Sequence, residues 1–447
     1  MARKYAIETF GCQMNVHDSE RMAGLLEQAG YEPADDPGDA DVVVLNTCSV
    51  RERAEEKLFS RLGELRLLDN AQGSRPLIAV AGCVAQQEGE SLLERAPYVD
   101  VIVGTQASRH LPLMVDRAAT TGETQVDLNP YDDVSFPLGI ARRSDPVKAY
   151  VTILEGCNDY CAFCVVPYTR GRERMRSKAE VLADVQEAVA GGRKEIHLLG
   201  QIVNHYQAPD DPTCDFPGLL AAVNDVAGVE RIRFASPHPR HASVRLVEAI
   251  RDLPRVCKHV HLPVQSGSTR VLQAMRRRHT REEYLDLVDR LRTAVPGMAI
   301  STDMIVGFPG ETDDDFRETM TLAERVGFSA MFSFKYSERP NTQASKRLKD
   351  DVPEGAKGRR LIELQALQKQ IQWDLHKDAV GLVFDVLVDS RSRRRASELA
   401  GRTTGNVVVN LPGDPEWLGR TIPVRILRAG PNSLWGEAAF DSTVDIG

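Results

Sequence analysis

Short apolar runs rich in β-branched residues alternate with longer stretches whose apolar positions recur every three or four residues, from about residue 5 to residue 335. In the first part the runs are Tyr5–Thr9, Asp41–Leu45, Leu77–Ala81 and Val99–Val103. Near-continuous apolar runs of this kind mark strands buried on both faces. Helical patterns such as SERMAGLLEQAG and EEKLFSRLGELRLL lie between them. This rhythm predicts an α/β fold beginning with an open, doubly wound parallel sheet. Six further strands are predicted at Tyr150–Leu154, Glu195–Leu199, Arg231–Ala235, His259–Pro263, Ala299–Val306 and Ala330–Lys335. Each is followed by a helical stretch, for example KAEVLADVQEAVAGG or TREEYLDLVDRLRTA. Six βα units predict a partial (β/α)6 barrel, two short of a closed one. A polar helical pattern over 354–378 precedes the runs GLVFDVLVD, NVVVNL and TIPVRILRA, which predict a small OB-like β-barrel. Turn formers crowd residues 121–142, which read as a linker. The expected domains are therefore 1–120, 143–375 and 376–441.

Composition narrows the class. With 42% hydrophobic and 27% charged residues among 447, the chain reads as a soluble globular protein. No apolar run approaches the ~18–20 residues of a bilayer span, and the start, MARKYAIETFGC, lacks a secretory pattern. The expectation is a cytoplasmic protein without a membrane. Eight cysteines are too sparse for a disulfide scaffold and suit metal binding or catalysis. The net charge of −8 argues against indiscriminate adhesion to nucleic acid, and it is unevenly spread. Residues 1–140 carry 12 Lys and Arg against 23 Asp and Glu, whereas residues 141–380 carry 36 against 33. Local basic runs could still track a phosphate backbone: Arg170, Arg172, Arg174 and Arg176; Arg276–Arg278; and Arg391 with Arg393–Arg395.

The sharpest chemical signal is Cys157-x3-Cys161-x2-Cys164, directly after the first barrel strand. Thiolates ligate iron–sulfur clusters, and three of them leave one corner of a four-iron cube open. Two plainer readings compete. The spacing could put three small side chains on one helix face. A structural zinc site would need a fourth Cys or His, and the next cysteine is Cys214. A strand's carboxyl end is where barrel chemistry sits, which favours an active site.

A second triplet is scattered. Cys12, Cys48 and Cys83 each follow a predicted strand, at intervals of 36 and 35 residues. Loops at the carboxyl ends of parallel strands converge on one crevice, so the three can meet in space. The alternative is three unrelated buried cysteines. Cys214 and Cys257 have no partner at ligand spacing and read as incidental, and His238 as structural.

The Cys157–Cys164 motif, with Phe163 before its last cysteine, resembles the radical S-adenosylmethionine (SAM) enzymes. That resemblance implies a [4Fe–4S] cluster whose open iron binds SAM, and reductive cleavage of SAM to a 5′-deoxyadenosyl radical. TFGCQMN at Thr9–Asn15, with Asp18-Ser19-Glu20 following, is similar to the opening of the methylthiotransferases within that superfamily. So are Asn46-Thr47-Cys48-Ser49-Val50-Arg51 and Gly82-Cys83, and the resemblance extends to a TRAM-type domain at the end. Gln13-Met14 stands where the ribosomal-protein branch has Pro-Lys and the threonylcarbamoyl-adenosine branch Lys-Val. This aligns the chain with the branch acting on N6-(dimethylallyl)adenosine of tRNA.

The resemblance implies methylthiolation at C2 of N6-(dimethylallyl)adenosine beside the anticodon. SAM would be radical source and methyl donor, and sulfur would come through an auxiliary [4Fe–4S] cluster on Cys12, Cys48 and Cys83. No catalytic residue is expected beyond the cluster ligands. Gln201 after the second barrel strand, Gln265 after the fourth, Asp303 in the fifth and Glu311 in GFPGET are the candidates to contact SAM. The expected partners are tRNA carrying the prenylated adenosine and a reductant such as a flavodoxin or ferredoxin, with the chain a monomer. Small departures from the family pattern fall at Ile202-Val203-Asn204 and Ser177-Lys178 and touch no expected ligand. The alternatives are the two sister substrates, or a non-catalytic RNA-binding iron–sulfur carrier.

Overall fold

The computed structural model describes residues 2–49, 52–68, 73, 75–129, 139–392, 395, 397–440. It divides into two compact units: Met1–Ser144 with Tyr150–Met175 and Arg339–Lys346, and Asp145–Ala149 with Arg176–Glu338 and Arg347–Gly447.

The first unit is built on a six-stranded parallel sheet. Its strands are β1 (Arg3–Phe10), β2 (Tyr31–Pro33), β3 (Val42–Thr47), β4 (Leu77–Gly82), β5 (Val101–Val103) and β6 (Gln125–Asp127). Their order is β2-β1-β3-β4-β5-β6, so the winding direction switches between β1 and β3. Two-residue periodicity sends alternate side chains to opposite faces. Val42, Val44, Ala79 and Ala81 pack under helices Gln13–Gln28 and Leu111–Thr121. Val43, Leu45, Ile78 and Val80 pack under helix Glu52–Leu65 through Leu58, Leu62 and Leu65. The predicted strands are all present. The two edges, β2 and β6, are too short and polar to show in the pattern, and β6 falls inside the segment read as a linker. Residues 130–138 of that segment lie outside the described residues.

Strand β7 (Lys148–Thr152) leads to β8 (Leu154–Glu155), which pairs antiparallel with β9 (Arg174–Met175). This pairing closes a loop that carries Cys157, Cys161 and Cys164.

The second unit holds the rest of the partial barrel. Strands β10 (Glu195–Leu199) and β11 (Arg231–Phe234) pair in parallel, as do β12 (His259–His261), β13 (Ala299–Val306) and β14 (Ala330–Lys335). Helix Glu354–Asp378 spans the predicted residues, and its Gln368 Nε2 donates to the Phe328 carbonyl at 2.8 Å. The tail closes into a barrel, β15 (Val383–Arg391), β16 (Glu398–Arg402), β17 (Val408–Pro412), β18 (Thr421–Ala429) and β19 (Leu434–Ala438), in the order β15-β16-β17-β19-β18. Val386, Val409, Leu411, Val424 and Ile426 fill its core.

Two arginines near the start of β11 join this small barrel to the larger one. Arg231 donates to the carbonyls of Arg402 (2.5 Å) and Asp385 (2.8 Å). Arg233 donates to those of Thr403 (2.7 Å) and Thr404 (3.1 Å), and its Nε to Glu195 (2.9 Å). The small barrel is thereby fastened to the β10–β11 pair.

Candidate active site

All six predicted ligands lie in the first unit. Cys12 caps helix Gln13–Gln28, Cys48 follows β3, and Cys83 opens the short helix Cys83–Glu88 after β4. They share the carboxyl edge of the sheet at and beside its switch point, where open α/β sheets bind ligands. Cys48 is in hydrogen-bonding contact with both Cys12 and Cys83. The scattered triplet therefore meets, as the spacing predicted. Cys48 and Cys83 are buried, while Cys12 is exposed.

The residues around the triplet explain the local sequence. Asn15 Oδ1 accepts from the Cys12 backbone N–H (3.3 Å) and thiol (3.2 Å), and its Nδ2 donates to Asn46 (3.2 Å). Asn46 Nδ2 donates in turn to the Asn15 carbonyl (2.8 Å) and Ser19 (2.9 Å). This fully buried amide bridge takes up the room beside the cysteines. A Cβ on Gly82, whose φ is +89°, would lie 2.3 Å from Asn46 Oδ1, and one on Gly11 would lie 2.5 Å from Asn15 Oδ1. Hence Gly-Cys, Asn-Thr-Cys and Gly-Cys recur at the three strand ends.

Sequence reasoning missed the charge at this edge. Arg170 Nη2 donates to Asp18 at 2.6 Å, and the two side chains are only 4% and 13% exposed. Burial works against the guanidinium charge. The Asp18 carboxylate, then Cys83, Glu155 and Cys12, outweigh burial and hold its pKa above the ordinary value. The Cys12 and Cys83 thiols are both pushed down, first by the hydrogen bond with Cys48 and further by Arg170, while Cys48 is pushed up by that bond. Three thiols meeting beside a buried guanidinium suit thiolate ligation, so this donor set fits an iron–sulfur cluster. Arg170 is held in place by its backbone: Thr105 Oγ1 donates to the Thr169 carbonyl (2.6 Å) and Gln106 Nε2 to the Arg170 carbonyl (2.8 Å).

Cys157, Cys161 and Cys164 lie on a loop and not on a helix, which removes the helix-face reading. Tyr160, at φ +49°, turns the chain between the first two. Gly156 (φ +80°) could not carry a Cβ, which would meet the Arg172 carbonyl at 2.1 Å. The Cys157 N–H donates to the Gly171 carbonyl (3.2 Å), the Cys164 N–H to that of Cys161 (3.0 Å) and the Ala344 N–H to that of Ala162 (2.7 Å). Burial pushes the Cys157 thiol up to about 11, a cost that a cluster's iron would offset. Three thiols on a pinned loop fit a three-ligand cluster. Among the described residues, no three His, Cys, Asp or Glu side chains surround a single metal ion; the corners of a four-iron cube stand apart and do not need such convergence.

The SAM candidates lie in the second unit. Gln201 follows β10. Gln265, left-handed at φ +77°, pairs its backbone with β13, donating to the Asp303 carbonyl (2.9 Å) and accepting from Ile305 (2.8 Å). Asp303 faces His261 at 3.3 Å. Glu311 accepts from the Gly307 N–H (2.7 Å) and Arg360 (2.9 Å), so its carboxylate fastens the GFPGET turn to helix Glu354–Asp378. That is a structural role the sequence reading did not assign.

The basic runs are corrected in part. Arg170 and Arg176 are buried and paired, the latter with Asp184 at 2.8 Å. Arg277 is buried and donates to the Pro263 carbonyl at 2.6 Å. These three cannot track phosphate, whereas Arg172, Arg276, Arg278, Arg391 and Arg395 are exposed. Arg393 and Arg394 lie outside the described residues. His238 is buried and tied to Asn204 by two hydrogen bonds.

Three family models match: the uncharacterized protein family UPF0004 over residues 4–104, the radical SAM superfamily over 151–323, and the TRAM domain over 377–439. A tRNA-2-methylthio-N(6)-dimethylallyladenosine synthase of Alkalilimnicola ehrlichii is 46% identical over 98% of this chain and 98% of that protein. The synthase of the same name from Thiobacillus denitrificans is 47% identical over 99% of both. The chain belongs to this synthase family. Radical SAM membership brings a [4Fe–4S] cluster and SAM with it. A radical SAM methyltransferase of Kitasatospora setae, solved with cobalamin and a [4Fe–4S] cluster, shares the fold at a TM-score of 0.56 and 13% identity, over 90% of this chain and 81% of that one. The cobalamin-dependent radical enzyme OxsB does so at 0.52 and 12%, over 83% and 56%. No helix among the described residues is long and apolar enough to cross a membrane.

Proposed function

We propose that the protein transfers a methylthio group to C2 of N6-(dimethylallyl)adenosine in tRNA, with one cluster on Cys157, Cys161 and Cys164 and a second on Cys12, Cys48 and Cys83. The observation that carries this reading is the meeting of three cysteines from three strand ends beside the Arg170–Asp18 pair. A radical SAM enzyme that only cleaves SAM has no use for it. When bound, the cofactors supply what side chains cannot: a radical able to attack an aromatic C–H, and a sulfur to replace the hydrogen.

The chain's own residues supply position and charge. Asn15 and Asn46 fix the strand ends and so the three thiols. Arg170 places a positive charge where thiolates and sulfide concentrate negative charge, and Asp18 orients it. Gly156 lets the other cysteine loop turn sharply enough to present three thiols together. Gln201, Gln265 and Asp303, at or near barrel strand ends, are assigned to SAM, while Glu311 shapes the turn beside them. The substrate adenosine belongs to an RNA loop, where a base can be splayed out and presented. A flavodoxin- or ferredoxin-type reductant, a monomeric state, a cytoplasmic setting and domain limits near residues 120, 143 and 376 complete the proposal.

The test is mass spectrometry of tRNA nucleosides from a strain lacking this protein. The reading requires the methylthio form to vanish and the prenylated adenosine to accumulate. An unchanged nucleoside profile would refute it, and loss of a threonylcarbamoyl derivative instead would reassign the substrate.

A further inference from the structure

The small barrel carries a pocket of about 340 Å³, near the lower size of ligand sites in general. Its wall is a fixed aromatic platform. The Trp435 Nε1–H donates to Glu398 Oε1 at 3.0 Å, and Arg395 Nη1 donates to the same oxygen at 2.9 Å. With its polar edge engaged, the indole offers the pocket its ring. The Arg428 guanidinium lies over that ring, 4.2 Å from the centroid. Arg428 and Arg395 are exposed, while Glu398 is buried, so the outward charge is positive. Asn410 also lines the pocket, its Nδ2 donating to the Leu434 carbonyl at 3.4 Å and its Oδ1 able to accept.

An indole backing a guanidinium, rimmed by positive charge and with an amide at hand, has the chemistry of a nucleotide site. The planar groups stack on a base, the cations meet its phosphate, and the amide reads a base edge. A duplex keeps its bases stacked inside and cannot use such a platform. We infer that this pocket binds one unpaired nucleotide of the RNA substrate, its base stacked on the Arg428–Trp435 pair and its phosphate beside Arg395. The inference rests on the tRNA reading above and assigns that RNA a face of the small barrel.

Trp435 reports its own occupancy. The chain has three tryptophans, so the full-length, cluster-loaded Trp373→Phe, Trp417→Phe protein emits from Trp435 alone. Titration with an anticodon stem-loop RNA should quench that emission, and a fully paired RNA of equal length should not. Trp435→Ala should weaken stem-loop binding about tenfold, from the usual worth of one base–aromatic stack, and Trp435→Phe should restore most of it. Arg428→Ala, which leaves the barrel core untouched, should weaken binding and lower its salt slope. Full affinity in Trp435→Ala, or equal quenching by paired RNA, overturns the inference. Wild-type protein that methylthiolates RNA while Trp435→Ala binds it fully would sink the pocket alone. Quenching by RNA in a protein with no methylthio transfer would leave the pocket standing and remove the proposed function.

Discussion

Replacing Arg170 by Gln tests the electrostatic design of the cysteine edge. The substitution leaves Asp18 mostly buried opposite a neutral side chain, where it had an ion pair of 2.6 Å with 4% and 13% exposure. Removing one partner of a buried pair costs about 3–5 kcal/mol, because the other charge stays in low dielectric. A unit of this size shifts its midpoint about 2–4 °C per kcal/mol, so the first unit should melt about 6–20 °C lower. Apoprotein followed by differential scanning calorimetry reads this without interference from iron. The double variant Asp18→Asn, Arg170→Gln should recover part of the loss, since no charge is then stranded, and the cycle isolates the pair. In loaded protein, losing a cation beside Cys12 and Cys83 should lower the reduction potential of the cluster they hold, while the Cys157 cluster keeps its own. A single variant that melts with wild type would refute the burial argument. An unshifted potential at both clusters would remove Arg170 from the auxiliary site.

Gly82→Ala should cost the protein about half its iron while leaving it folded, because the new Cβ would meet Asn46 Oδ1 and the Thr47 carbonyl at the triplet. Gly122→Ala, also at positive φ but with open space around its Cβ, is the control and should keep full iron by ferrozine assay. Glu195 is held well below the ordinary carboxylate range. Burial opposes the charge, but His197 at 2.6 Å and Arg233 at 2.9 Å outweigh it. A depressed folded pKa stabilises above the unfolded value and is lost as pH falls through the folded one. Wild-type melting temperature should therefore drop below about pH 4.5, and Glu195→Gln should flatten that acid limb while melting lower at pH 7. An identical pH profile in the variant would contradict this.

Much of the fold was legible because buried parallel strands write themselves as continuous apolar runs. β3 and β4, buried along nearly their whole length, are such runs, while β13, β14 and helix Glu354–Asp378 coincide with their predicted spans. The edge strands Tyr31–Pro33 and Gln125–Asp127 left no pattern, since three residues with one or both faces wet carry no periodicity. The placement of the cysteines at strand ends was legible where spacing is local or follows the βα repeat, as for both triplets. Arg170 was not: it stands in an alternating basic run that reads as surface, and only the fold brings it to Asp18, 152 residues away. Glu311 shows a role the sequence did not signal: its Oε1 accepts from Gly307 and Arg360 and so fastens the turn. Asn46 was quoted only as part of a motif, and its bridge to Asn15 shows why that motif needs an amide.

The central claim is that two cysteine triplets hold two clusters with separate tasks, and the Cys48→Ala protein tests it most directly. Reconstituted, reduced and given SAM with prenylated tRNA, it should still release 5′-deoxyadenosine, because Cys157, Cys161 and Cys164 keep their own loop. It should form no methylthio product, because Cys48 is the thiol that touches both others. Full methylthiolation by this variant would show that the sulfur does not pass through the triplet, and the two-cluster account would fall.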